Sequence, residues 1–274
     1  MNQRALLFVC LLLSPPVEAR TPVFLQAEDD AYLNASYRDL QTSELQDTAG
    51  DVGGARTRFA GGYRNPERAW WLALEHEYNA LDVQLTGPEP QSNGHLHTLH
   101  VAAGWLLEAG SGNVALTFAP AISTSSNALK NPGELDASSI QLWAAAIGQI
   151  PAGGWDWIAG IAHDYRFGES RIYPVAGVDW RGEQFFLRVT YPDLTLRWQP
   201  ADRWTLGITL GPDGNQWRAF DADLADSDDF RREAWEAAVQ ARYQWRNGLS
   251  LGFSTGYQWD QQWRTRLETG ELLR

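Results

Sequence analysis

Apolar and polar side chains alternate along most of the chain from Trp70 onward, most clearly between Arg232 and Asp260. There Trp235, Ala237, Val239, Ala241, Tyr243 and Trp245 are interleaved with Glu236, Gln240, Arg242, Gln244 and Arg246. That period of two belongs to a strand with one apolar face. Asn247-Gly248 tolerates the positive φ values of a tight turn, and Leu249, Leu251, Phe253, Tyr257 and Trp259 then form the apolar face of a second arm. The Ala, Glu and Gln content of 233–242 offers an amphipathic helix as the competing reading, but helical spacing scatters Trp235, Val239, Tyr243 and Trp245. The pattern therefore predicts one long β-hairpin.

Comparable faces recur upstream. Trp70, Leu72 and Leu74 lie opposite Glu75, Glu77 and Asn79, and the apolar phase then moves to Leu81, Val83 and Leu85, which predicts a β-bulge. Leu99 to Leu107, Val114 to Phe118, and a hairpin joining Ile140–Ile150 to Trp155–Arg166 continue the series, with Trp155, Trp157, Ala159 and Ile161 outward. Residues 184–199 read as one strand kinked at Pro192, because proline removes a ladder donor and suits a bulge. Joined in this way, short turns at 110–112, 151–154, 182–183, 211–214 and 247–248 fall at one end. The long loops 86–95, 125–137 and 221–231 fall at the other, as in outer-membrane barrels. Residues 56–63 either join the sheet or precede it, and Trp263 to Glu271 is expected to run back as the closing strand. The fold class predicted is all-β: an antiparallel up-and-down transmembrane β-barrel of about 12 strands, within a range of roughly 10–14.

Composition sharpens this picture. Mean hydropathy is negative and no window past the first residues is apolar enough for a transmembrane helix, yet a barrel needs only alternate residues to be apolar. All 14 tryptophans lie at or beyond Trp70, mostly near the ends of alternating segments, as an interfacial aromatic girdle requires. The alternative is that they fill the core of a soluble β-sandwich. Arg4, the apolar run Ala5–Leu13 and Val17-Glu18-Ala19 read as an export signal over residues 1–19. A polar lead-in over 20–54 and an outer-membrane barrel over 55–274 follow. The single cysteine, Cys10, lies inside that signal, so disulfides are not expected in the mature chain. A net charge of -12 argues against nucleic acid as a partner.

From residue 171 the run RIYPVAGVDWRGEQFFLRVTYPDLTLRWQPADRWTLGITLGPDGNQWRA resembles a family of bacterial outer-membrane β-barrels of unassigned function. The resemblance is carried by Tyr173-Pro174, Val178 to Trp180, Tyr191-Pro192, Asp202-Arg203-Trp204 and Gln216-Trp217-Arg218. It covers about the last hundred residues well and the middle of the chain only in pattern. Such barrels finish on a strand ending in an aromatic residue, whereas this sequence ends on Leu272-Leu273-Arg274. The resemblance implies localisation to the outer membrane, with membrane lipid and the outer-membrane assembly machinery as partners.

No nucleotide loop, zinc signature or nucleophile elbow is found in the sequence. On a strand His95 and His97 share one face and His100 takes the other, which disfavours a three-histidine metal site. His163-Asp164 with Ser170 nearby is the best hydrolase candidate, although alternation sends His163 and Asp164 to opposite faces. Glu75 and Glu77 share a face and suit either glycosidase chemistry or ion pairs with arginines across a lumen. The acidic run Asp221 to Asp229 lacks the glycine and terminal glutamate of an EF-hand loop.

Alternation predicts a lumen lined by Glu75, Glu77, Asp156, Asp179, Arg181, Arg197, Arg203, Arg218, Glu236, Arg242 and Arg246. Asp164, Arg188, Arg264 and Arg266 share that orientation. Opposed charges of this kind form either a polar plug or the lining of a narrow pore. The expected function is an integral outer-membrane barrel, structural or a small-solute channel, with no catalytic residue, cofactor or metal. Two alternatives stand beside it: a secreted soluble β-rich carbohydrate-binding protein or hydrolase, and a barrel lipid hydrolase.

Overall fold

Strand follows strand through a computed structural model that describes residues 31–44, 50–65, 67, 69–85, 94–220, 227–245 and 249–267. The strands are β1 (Ala31–Glu44), β2 (Gly50–Asn65), β3 (Trp70–Leu85), β4 (Gly94–Ala109), β5 (Gly112–Ser125), β6 (Ile140–Ala152) and β7 (Trp155–Asp164). They continue with β8 (Arg171–Arg181), β9 (Phe185–Tyr191), β10 (Asp193–Ala201), β11 (Trp204–Pro212), β12 (Asn215–Phe220), β13 (Ser227–Gln244) and β14 (Leu249–Leu267). One short helix, α1 (Ser126–Lys130), and two 3-10 turns sit between β5 and β6.

Sequential strands from β1 to β11 pair antiparallel, β11 pairs with β13, and β13 with β14. The sheet closes on itself: β5 through β11, then β13 and β12, make a nine-strand barrel joined where Arg218 of β12 meets Thr124 of β5. Strands β14 and β1 to β4 carry the sheet from β13 round to β5 on the other side. Between β14 and β1 the pairing is parallel and short, Ala31 opposite Leu249 and Tyr32 opposite Ser250. Two faces result. Leu74, Val101, Trp157, Ile161 and Val239 are each more than half exposed, while Glu77, Asp164 and Asp179 are fully buried.

Several expectations from sequence are corrected. Pro192 is a corner, not a kink: β9 and β10 pair antiparallel with Thr190 opposite Asp193, and the Tyr191-Pro192 peptide is cis. A residue without an N–H ends a ladder as readily as it bulges one. Gly211-Pro212-Asp213-Gly214 is no turn. Strands β11 and β12 both pair with β13 in one continuous register, and the Asp213 N–H donates to the Ala234 carbonyl at 2.8 Å. Strand β3 has no bulge, since its pairing with β2 runs unbroken from Gly50–Leu85 to Asn65–Trp70. Leu81 and Val83 therefore point inward, where Leu40, Val52, Leu96, Trp217, Phe230 and Trp263 make that end of the interior apolar.

Closure also differs from expectation. Trp263–Leu267 does not turn back but continues β14, with Trp263 opposite Arg232. Asp260, at φ 53°, is the extra residue of a bulge facing Glu233–Trp235. One inserted residue reverses the alternation, so Trp259 faces out, Trp263 is fully buried, and Arg264 is exposed rather than inward. The ring closes instead through β1, and β1 and β2 occupy most of the segment read as a polar lead-in. The two-ended character survives these changes. Turns at 110–111, 153–154, 182–184 and 202–203 lie at one end, and the connection 126–139 at the other, together with the corner at Pro192. Residues 1–30, the acidic run 221–226 and Arg246 lie outside the described residues.

A charged interior as the candidate functional site

Asp213 sits where the β11–β12 strand bends inward, and its carboxylate collects donors from three other strands. Arg56 of β2 donates to Oδ2, Arg232 of β13 reaches it at 3.3 Å, Arg58 of β2 reaches Oδ1 at 3.5 Å, and Gln258 of β14 also donates. The Arg232 guanidinium additionally donates to the Asp213 carbonyl at 2.9 Å. The network extends through Glu236, which forms an ion pair with Arg38 at 2.6 Å and accepts from Arg56 at 2.8 Å. At its other side Arg58 donates to Glu77 at 2.6 Å and lies 3.3 Å from Glu75. Four arginines thus face four carboxylates. Desolvating an ion costs several kcal/mol, which only paired and hydrogen-bonded partners offset, and here each charge has an opposite neighbour.

A second network is built by the β7–β8 connection, which folds into the barrel instead of away from it. Fully buried Arg166 donates through Nε to Asp164 at 2.9 Å, through Nη1 to Asp193 at 2.7 Å and through Nη2 to the Tyr173 hydroxyl at 2.7 Å. The inward loop is held against the bent strand because the Gly214 N–H donates to the Arg166 carbonyl at 2.6 Å. A Cβ on Gly214 would stand 2.4 Å from the Arg232 carbonyl oxygen and 2.6 Å from the Gly168 nitrogen, so only glycine permits this approach. Between the charged layers, Trp71, Trp143, Ile147, Ile158, Tyr173 and Val175 fill the interior with apolar volume. Arg232 lies over the rings of Trp217 and Trp263 at 5.9 and 5.6 Å, tying the charged hub to the apolar cluster at the long-loop end.

The residues expected inside are distributed unequally. Glu77, Asp179, Arg197, Arg218 and Glu236 are buried, and Glu75 nearly so. Asp179 takes Arg188 through two parallel hydrogen bonds, one of them at 2.6 Å. Arg218 reaches Asp136 and Asp229, each at 3.4 Å, near the long-loop end. Partial burial works to raise the Asp136 carboxyl, but the Ser138 hydroxyl and the Ser138 and Ser139 N–H groups outweigh it and hold it below the ordinary carboxylate range. Asp156 and Arg242 are half-buried at the short-turn mouth, and Arg181 and Arg203 are exposed there.

Sequence reasoning missed Arg38, Arg56, Arg58, Asp193, Asp213 and Arg232. The spacing of Arg56 and Arg58 was the available signal, because two charges at i and i+2 share a strand face as Glu75 and Glu77 do. Asp193 and Asp213 were hidden by treating Pro192 as a kink and 211–214 as a turn.

The histidines take separate roles. His95 meets the Tyr78 hydroxyl at 2.7 Å, His97 lies between His76 at 3.1 Å and Ser126 at 2.7 Å, and His100 turns inward to Trp143. Among the described residues no group of three or more His, Cys, Asp or Glu is placed to hold a metal ion. His163 Nε2 stands 2.8 Å from the exposed Ser170 hydroxyl, whereas Asp164 faces the interior and Arg166.

The geometry defines a closed, mainly antiparallel β-barrel with a filled, charged interior and an apolar outer wall. Compared with known protein families, curated proteins and solved structures, the chain matches none.

Proposed function

We propose that this chain is an integral outer-membrane β-barrel, sealed in the state described, that serves as a structural element of that membrane or as the closed form of a small-solute conduit. The observation that carries this reading is the outer face. Aliphatic side chains cover its middle, and aromatic pairs ring the short-turn end: Trp70 is opposite Trp105, Trp155 opposite Trp180, Phe185 opposite Trp198, and Trp204 opposite Tyr243. Water would penalise so much exposed apolar surface, whereas hydrocarbon bounded by an interfacial aromatic belt favours it. The 16-residue strands β2, β3 and β4 exceed the about 9–11 residues that cross the hydrocarbon core, leaving their long-loop halves to stand clear of it. A secreted carbohydrate-binding protein would bury its tryptophan faces or gather them into a platform. These instead encircle the barrel.

Extraction tests the reading directly. The protein is expected to stay in the membrane fraction through salt and alkaline washes and to need detergent for release; recovery in the aqueous fraction would sink the proposal. The 2.8 Å contact between His163 and Ser170 supports a second reading, in which Ser170 attacks an acyl ester while His163 takes its proton and passes it to the departing alcohol, and water then releases the acid from Ser170. Esterase activity abolished in both Ser170→Ala and His163→Ala is the result that reading requires. An inactive wild type dismisses it.

A further inference from the structure

At the short-turn mouth the charge of this acidic chain is locally reversed. A cavity of about 220 Å³ opens there among Arg181 of β8, Arg197 of β10 and Arg242 of β13, with Glu183 as the only carboxylate among the described residues that line it and Thr205 beside them. The nearby acids are already engaged, one of them with Arg181 itself. Asp179 is bound by Arg188, and Asp156 accepts from Gln149 at 2.7 Å while lying 4.0 Å from Arg181. The Phe186 ring gathers the guanidinium groups of Arg181, Arg188 and Arg197, each 5.3 Å from its centroid, and holds them at one wall. Three strands therefore deliver cationic forks to one small volume.

We propose that this mouth binds a small solute carrying a phosphate group. Guanidinium groups match phosphate oxygens with paired N–H donors, and a low-dielectric wall strengthens such bonds. The volume falls below the about 300–1,000 Å³ of drug-sized pockets, which restricts the ligand to a phosphate with a small organic remainder. Exposed Arg181 at the rim draws the anion in, and buried Arg197 and half-buried Arg242 receive it. The site rests on barrel closure and not on what surrounds the barrel, so recovery of the protein in water would remove the membrane proposal and leave this one standing.

Calorimetric titration of the folded protein in nonionic detergent, with inorganic phosphate, glycerol phosphate and glycerol, tests it. Saturable binding of both phosphates and none of glycerol is expected. Arg181→Gln and Arg242→Gln should each weaken binding about tenfold, the worth of one charge-assisted hydrogen bond. Arg171→Gln, at the opposite end of β8, should leave it unchanged. Because Arg197 is buried and its replacement risks misfolding, the two less buried positions carry the test. Competition by micelles doped with phosphatidylglycerol, but not with phosphatidylcholine, would identify the source as an anionic lipid headgroup; its absence points to a free solute. No saturable phosphate binding by the wild type, or unchanged affinity in the Arg181→Gln/Arg242→Gln double variant, overturns the proposal.

Discussion

Asp213→Ala is expected to destabilise the barrel by about 3–5 kcal/mol, the range for removing one partner from a buried ionic network. The loss is large because one carboxylate serves Arg56, Arg58, Arg232 and Gln258, and its removal leaves cations buried where water does not reach them. It also loosens the inward bend that presses β12 against β5, because Arg232 is the donor to both the side chain and the carbonyl of Asp213. Asp213→Asn keeps the shape and an acceptor but not the charge, and should fall between alanine and wild type. Glu169→Ala, at a surface pair with Arg171 in which both side chains are 45% exposed, should cost below about 1 kcal/mol. Urea titration of protein folded in lipid vesicles provides the comparison. Equal midpoints for Asp213→Ala and Glu169→Ala would show that the hub does not hold the interior together.

The second large effect concerns the outer wall. Val239, 57% exposed in the middle of β13 and paired with Ile208, should cost about 2–4 kcal/mol when replaced by arginine if hydrocarbon surrounds it. Ala152→Arg, on an exposed outward position at the short-turn end opposite Trp155, should cost only about 0–1 kcal/mol, because charge near the interface reaches water. On a water-exposed wall both substitutions would stay within about 0.5 kcal/mol. Small, equal effects in vesicles would therefore remove hydrocarbon as the medium around β13.

Much of the architecture was legible in the chain because side-chain alternation is a local property of extended backbone. The two faces of β7 and β13 follow from it directly: Trp155, Trp157 and Ile161 face out, Asp164 and Glu236 face in, and no distant contact is needed to say so. What alternation does not contain is the meaning of a break. Pro192 can kink a strand or end it, Gly211-Pro212-Asp213-Gly214 can turn a chain or bend it, and a phase change at Leu81 can mark a bulge or an apolar region of the interior. Each choice depends on neighbours far along the chain.

Those neighbours decided the site. Asp213 became a hub because β13 stays paired on both sides of the bend while β2 and β14 bring arginine and glutamine to the same carboxylate. Leu81 and Val83 face inward because Trp217, Phe230 and Trp263 fill the same end, and Trp263 reaches it only through the extra residue at Asp260. The sequence by itself determined that the chain forms strands with opposed faces, since backbone geometry alternates side chains whatever the partner. Strand order, the parallel seam between β1 and β14, and the charges that meet inside were decided only by tertiary structure, because they follow from closing the sheet around a limited interior in which each buried charge needs an opposite one.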